Sequence, residues 1–288
     1  MPDIWGQAAI LTKLFLYVSA LGAVGLVIVQ IAFAGETACV AKRMRAQTIG
    51  LVVVAISASA FGFLLRGAAL TGGADGMTDP EMLGLLWQTP VGEALLCRLA
   101  GGALIIVGLL ISSHGHWLAL AGGLLLLWSF AQIGHVTDIG TFAVRLLLLL
   151  HLVGVAFWVG ILPPLHHLSR APDRLTPATQ LGHHFGRVAT IIVPVLILAG
   201  LIMGWMLTGS LTALFGTGYG QALLVKLALV AVVLTLAAAN KLRFVPAMQA
   251  GEAAAARHLA LSIQIETLVI LAVLAATATL TSVLTLPS

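Results

Sequence analysis

Eight long, predominantly apolar stretches decide what this chain can fold into; they run at about 8–34, 47–71, 91–113, 116–135, 141–165, 186–208, 219–240 and 259–284. Each is near the ~20 residues with which a helix crosses the ~30 Å hydrocarbon layer of a bilayer. Inside lipid every backbone N–H and C=O must find its partner within the protein, which leaves helices or a closed barrel. The runs are too long for strands and show no two-residue alternation, so they read as helices. With 60% hydrophobic and 8% charged residues, the chain carries far more apolar surface than a soluble core could hide. The expected class is all-α: a polytopic membrane protein of eight transmembrane helices, with the lipid bilayer as its solvent.

Charge sets an expected orientation. Lys42, Arg43 and Arg45 follow the first span, Arg170, Arg174 and Arg187 flank the connection after the fifth, and Lys241, Arg243 and Arg257 lie between the seventh and eighth. An eight-span chain puts all three connections on one side, and the positive-inside rule makes that side cytoplasmic. The opposite loops carry Asp75, Asp79, Glu81 and Asp138. Both termini are then expected outside the cytoplasm, in the periplasm or at the exterior of a one-membrane cell. These anchors account for a pI near 9.5 without any nucleic-acid partner. The first span ends in Ala32-Phe33-Ala34, which mimics a cleavage site, but its apolar run exceeds a signal peptide's and is expected to stay as a helix. Cys39 and Cys97 fall on different spans, so no structural disulfide is expected.

An internal likeness divides the chain. "TPVGEALLCRLA" (89–100) lies over "TGYGQALLVKLA" (217–228), and "LTGG" (70–73) over "LTGS" (207–210). The offset predicts two four-helix units, 1–135 and 136–288. Because four spans return the chain to the same side, the two repeats are expected to be parallel.

Polar groups inside apolar runs mark the candidate site. An ionisable side chain at mid-bilayer costs at least ~2.5–3.5 kcal/mol on insertion scales, so it faces the bundle or has a task. His151 stands in "LLLLLHLVGVAFWVG", ~15 Å deep at 1.5 Å per residue, on one stripe with Gly154 and Trp158. Lys226 lies in the seventh span, and Glu266 in the eighth on a stripe with Ser262. A polar neighbour for His151 is expected from these two spans. Three roles stay open for this set: hydrogen bonding between helices, a metal pathway and an axial haem contact. A copper path, with Cu(I) favoured by soft ligands, would use His151 with Met203, Met206, Met77, Met82 and Cys97, and with His135 beside Asp138. A haem b site would take His151 as axial ligand, with Lys226, Arg98 and Arg145 facing the propionates. The cations of the outer half favour anions and oppose a bare cation. Histidine doublets at 166–167 and 183–184, with His114, His116 and His258, crowd the basic side.

The motifs "LLHLVGVAFWVGILPPL", "GYGQALLVKL", "AANKLRFVP" and "IETLVILAVLAATATLTSVLTLP" together resemble the copper resistance protein D family, in order and spacing, over about 145–287. The resemblance implies copper homeostasis at the inner membrane. It also implies transport across that membrane with a periplasmic copper-binding partner of the CopC type. It carries His151, Trp158, Lys226 and Glu266 over as site residues; "WVGI" stands here where the family has "WVGG". A fainter architectural resemblance to membrane protoporphyrinogen oxidases keeps haem b as the alternative. On this reading copper gathers outside at Met77, Met82, His135 or the Met203/Met206 pair, passes His151, and leaves among the inner histidines. No phosphate loop or nucleotide motif is present, so a transporter without its own ATP hydrolysis is expected rather than an enzyme.

Overall fold

The structure is a computed structural model describing residues 4–111, 115–138, 140–252 and 254–283, with the side chain of Asp138 excepted. His114 therefore lies outside the described residues, as does any side-chain pairing of Asp138 with His135. Eight helices correspond to the eight apolar stretches: α1 (Ile4–Ala32), α2 (Ala41–Thr71), α3 (Pro90–Leu110), α4 (Gly115–Trp128), α5 (Phe142–Ser169), α6 (Leu175–Thr208), α7 (Gly218–Ala239) and α8 (Ala255–Ser282). Seven of the segments are long and apolar enough to cross a membrane, and the shorter apolar segment Gly115–Ala131 accompanies them. The chain is an all-α polytopic membrane protein.

Burial follows from which helices stand in the middle. α1 packs on α2, α4, α5 and α8, and its residues Ala20–Val27 are buried throughout. α6 and α7 lie at the rim and turn Ile191, Leu198, Trp205, Val225 and Val232 outward. A helix apolar all round is what a lipid-facing position requires, since a bilayer rewards no polar face.

Glycines set the closest crossings. A side chain on Gly25 of α1 would collide with the backbone of Ala156 and Gly160 on α5, and one on Gly160 would strike Gly25 in return. Gly101 of α3 meets Gly122 of α4 in the same manner, and Gly108 meets Gly115. Without hydrophobic drive between helices in lipid, such small-residue contacts let main chains approach and pack.

Matching positions of the two halves also have matching local geometry. α2 and α6 both end on a left-handed glycine, Gly72 at φ 78° and Gly209 at φ 67°. Short helices Pro80–Trp87 and Leu211–Gly216 follow. Thr89 then caps α3 by accepting from Val91 N, and Thr217 caps α7 by accepting from Gly220 N. Gly92 lies against the Trp87 carbonyl and Gly220 against that of Leu214, each leaving no room for a Cβ.

At the basic end the helices run longer than their apolar runs. α6 starts at Leu175 and α2 at Ala41, so His183 and His184 lie in the roughly three helical turns that α6 adds before its apolar run, rather than in a loop. The three basic connections meet there: His184 pairs with Glu36, Lys241 donates to Thr190 Oγ1, and the His166 Nδ1 faces Ala260 O at 3.2 Å.

Candidate functional site

The most completely built polar group inside the bundle is a carboxylate. Glu266 of α8 is 2% exposed. It accepts a hydrogen bond from Trp158 Nε1 on α5 at 2.6 Å and a second from Asn240 Nδ2 at 2.9 Å. Both carboxylate oxygens are thereby held, from two different helices, as a buried acid requires. Asn240 stands at the head of a π-helical turn, Asn240–Phe244, which ends just before Pro246. Proline has no N–H to give and crowds the preceding turn; a widened turn accommodates it, and such turns recur at functional sites.

Two polar atoms beside this carboxylate are buried without a hydrogen-bond partner among the described residues: Asn240 Oδ1 and Ser262 Oγ. Ser262 lies one turn before Glu266 on α8, so both face the same side of that helix. Buried polar atoms are normally satisfied, so the pair leaves spare hydrogen-bonding capacity close to the acid.

His151 finds its direct partner on α6, a helix that the sequence did not single out. Its Nδ1 lies 3.2 Å from Leu196 O, and the ring occupies a notch left by Gly200, where a Cβ would come within 3.2 Å of Cε1. Since a carbonyl only accepts, Nδ1 carries the proton and Nε2 keeps its lone pair. This is the tautomer in which an imidazole binds a metal, oriented by its second nitrogen. Lys226 of α7 lies within electrostatic range of the same imidazole. Gly154, one turn on, receives Leu196. The stripe on α5 thus meets α6 at His151 and α8 at Trp158.

The sulfur ligands are dispersed. Met203 is 6% exposed but Met206 is 40% exposed; three residues leave a helix roughly 60° short of a full turn, enough to straddle the edge of a buried stripe. Met77 and Met82 are half-buried on the segment between α2 and α3. Cys97 is a free, half-buried thiol on α3. His135 sets its ring edge-on against Tyr219 at the start of α7, centroids 5.9 Å apart. Among the described residues no three His, Cys, Asp or Glu side chains converge on one point.

Sequence reasoning missed two partners. Asn240 was visible as the polar residue closing "LTLAAAN", but its contact with Glu266 depends on the wide turn. Thr281 of α8 receives the Lys13 ammonium on its backbone oxygen and lies 3.1 Å from the Tyr17 hydroxyl, tying α1 to the C-terminal end of α8. Arg98, at the position matching Lys226, donates to Ser129 Oγ at 3.0 Å and covers the Phe130 ring at 5.2 Å.

Comparison with known proteins finds one family in two stretches of the chain. Residues 179–280 match the family described as Copper resistance protein D, and residues 1–144 match Copper resistance protein D-like, N-terminal domain. The chain is 37% identical over 135 residues to the Copper transport protein CutJ of Bacillus subtilis (strain 168), covering 44% of this chain. It spans about a quarter, 24%, of that relative's length. No solved structure matches.

Proposed function

This chain belongs to the copper resistance protein D family, and from that premise we propose that it moves copper across the bacterial inner membrane through its second four helices. The observation that carries the reading is the line along α5. His151, its Nδ1 anchored at 3.2 Å to Leu196 O, presents a neutral nitrogen; two turns inward Trp158 leads to the Glu266 carboxylate at 2.6 Å. A nitrogen ligand followed by an acid, each fixed by a second interaction, offers successive holds for a cation that has shed its water.

The two four-helix units, 1–135 and 136–288, then divide the work, with the site in the second. The basic end faces the cytoplasm. A periplasmic copper-binding protein of the CopC type delivers the ion to the outer end, where His135, Met77, Met82, Met203 and Met206 stand. Soft thioethers there fit Cu(I). The name of the B. subtilis relative, a copper transport protein, supports the cargo.

The test is the copper content of cells expressing the wild-type chain, His151→Ala and Glu266→Gln at equal levels of folded protein. A change in copper relative to empty cells, abolished by either substitution, upholds the reading; equal copper in all strains overturns it. The same His151 tautomer would also serve as an axial haem ligand, so the purified protein's visible spectrum is taken alongside. A Soret band lost in His151→Ala assigns the imidazole to haem b instead.

A further inference from the structure

At the basic end, between the start of α2 and the end of α5, a cavity of about 310 Å³ is lined by Arg43, Gln47, Pro163, His166, His167 and Arg170. Its size is at the low end of the roughly 300–1,000 Å³ typical of small-molecule sites. Its lining contains two guanidinium groups, two imidazoles and an amide, and no carboxylate.

Neighbouring acids do not neutralise it. Glu36 is engaged by His184, and Asp173 pairs with Arg174 at 3.4 Å. The charges are close enough to act on one another: Arg43 and Arg174 on His167, Arg170 on His166. A metal cation would meet this field as repulsion, whereas an anion with several acceptor oxygens would satisfy it. Guanidinium forks match the geometry of phosphate oxygens, and the Gln47 amide adds a neutral donor.

Position narrows the source. Arg43 and Gln47 sit in the first two turns of α2 and His166 to Arg170 at the last turn of α5, the level of lipid headgroups for helices that span the hydrocarbon. We propose that this pocket is a phosphate site, filled by the headgroup of an anionic phospholipid from the surrounding leaflet. It holds α2 and α5 together at their basic ends through a shared ligand, and takes His166 and His167 out of the copper exit expected among the inner histidines.

The full-length protein in detergent is titrated with short-chain phosphatidylglycerol, short-chain phosphatidylcholine and inorganic phosphate, and bound species are read by native mass spectrometry. Phosphatidylglycerol is expected to bind in preference to phosphatidylcholine, and Arg43→Ala/Arg170→Ala to weaken it roughly tenfold or more. Arg43→Lys/Arg170→Lys, which keeps the charge but loses the fork, is expected in between, with helical circular dichroism unchanged in both variants. Tight binding of inorganic phosphate without lipid preference upholds the phosphate chemistry and overturns the lipid source. Equal binding of the two lipids by wild type and variants, or copper bound by the two imidazoles in place of either phosphate ligand, overturns the proposal.

Discussion

Trp158 donates its indole N–H to Oε1 of Glu266 across 2.6 Å, so one buried hydrogen bond ties α5 to α8 inside the bundle. Everything proposed for the second half depends on this acid being held rather than free.

Removing the donor should therefore cost stability. Trp158→Phe removes one ring of the indole and leaves a buried oxygen unsatisfied, with an expected loss of about 1–3 kcal/mol from the hydrogen bond and a further cavity contribution. Thermal unfolding in detergent measures it; an unchanged midpoint would show that Oε1 is held by something else. Combined with Glu266→Gln in a double-mutant cycle, the two losses should fall short of additivity.

Asn240→Ala removes the second donor to the carboxylate, at 2.9 Å. An additional loss of about 1–3 kcal/mol is expected, together with weakened copper phenotype. Asn240→Leu removes the amide, its unpartnered Oδ1 included, and sets an apolar side chain beside the acid. Retained copper movement in the leucine variant would place the path elsewhere.

Gly200 forms the notch for the His151 ring, with 3.2 Å between an added Cβ and Cε1. Gly200→Val should displace the imidazole without touching its chemistry. Its cellular copper content is expected to match that of His151→Ala, while Gly204→Val, where an added Cβ meets only Leu223 at 3.7 Å, stays near wild type. Wild-type copper handling in Gly200→Val would separate His151 from the path.

Gly160→Leu should impair assembly of the two halves, because α1 offers its own backbone at Gly25 and no flexible side chain to give way. Overpacking of this kind costs about 1–3 kcal/mol or more. The measure is the yield of monodisperse protein on size exclusion, with Gly50→Leu, which meets nothing within 4 Å, as the control.

Topology is checked by fusions. A phosphatase reporter, active only when exported, should be active after Asp75 and inactive after Arg174. The reverse pattern would invert the direction of every step proposed for copper.

The helical class was legible because hydrocarbon admits few alternatives, and the polar residues in apolar runs were legible because each needs a partner. His151, Trp158 and Glu266 stood out in this way. Which partners they take was not legible. That depends on the rotation of α6, fixed by a glycine notch at Gly200, and on the register of α7, shifted by the π-helical turn at Asn240. Periodicity carries neither. The histidines at 183–184 looked like part of a loop because the apolar run starts at about 186, well after α6 begins at Leu175; this polar first part of the helix is held by contacts such as Gly186 with the Lys241 stem. Met203 and Met206 share a helix but not a degree of burial, a difference that spacing by three does not reveal.

The crossing of Gly25 and Gly160 has a mechanical corollary. Where two main chains touch with no side chain between them, there is no cushion to deform, and sliding one half past the other would drive carbonyl into carbonyl. A reorientation that opened alternate ends of this protein would find least room to slide at that point. Displacement should be least there and greatest at the loops.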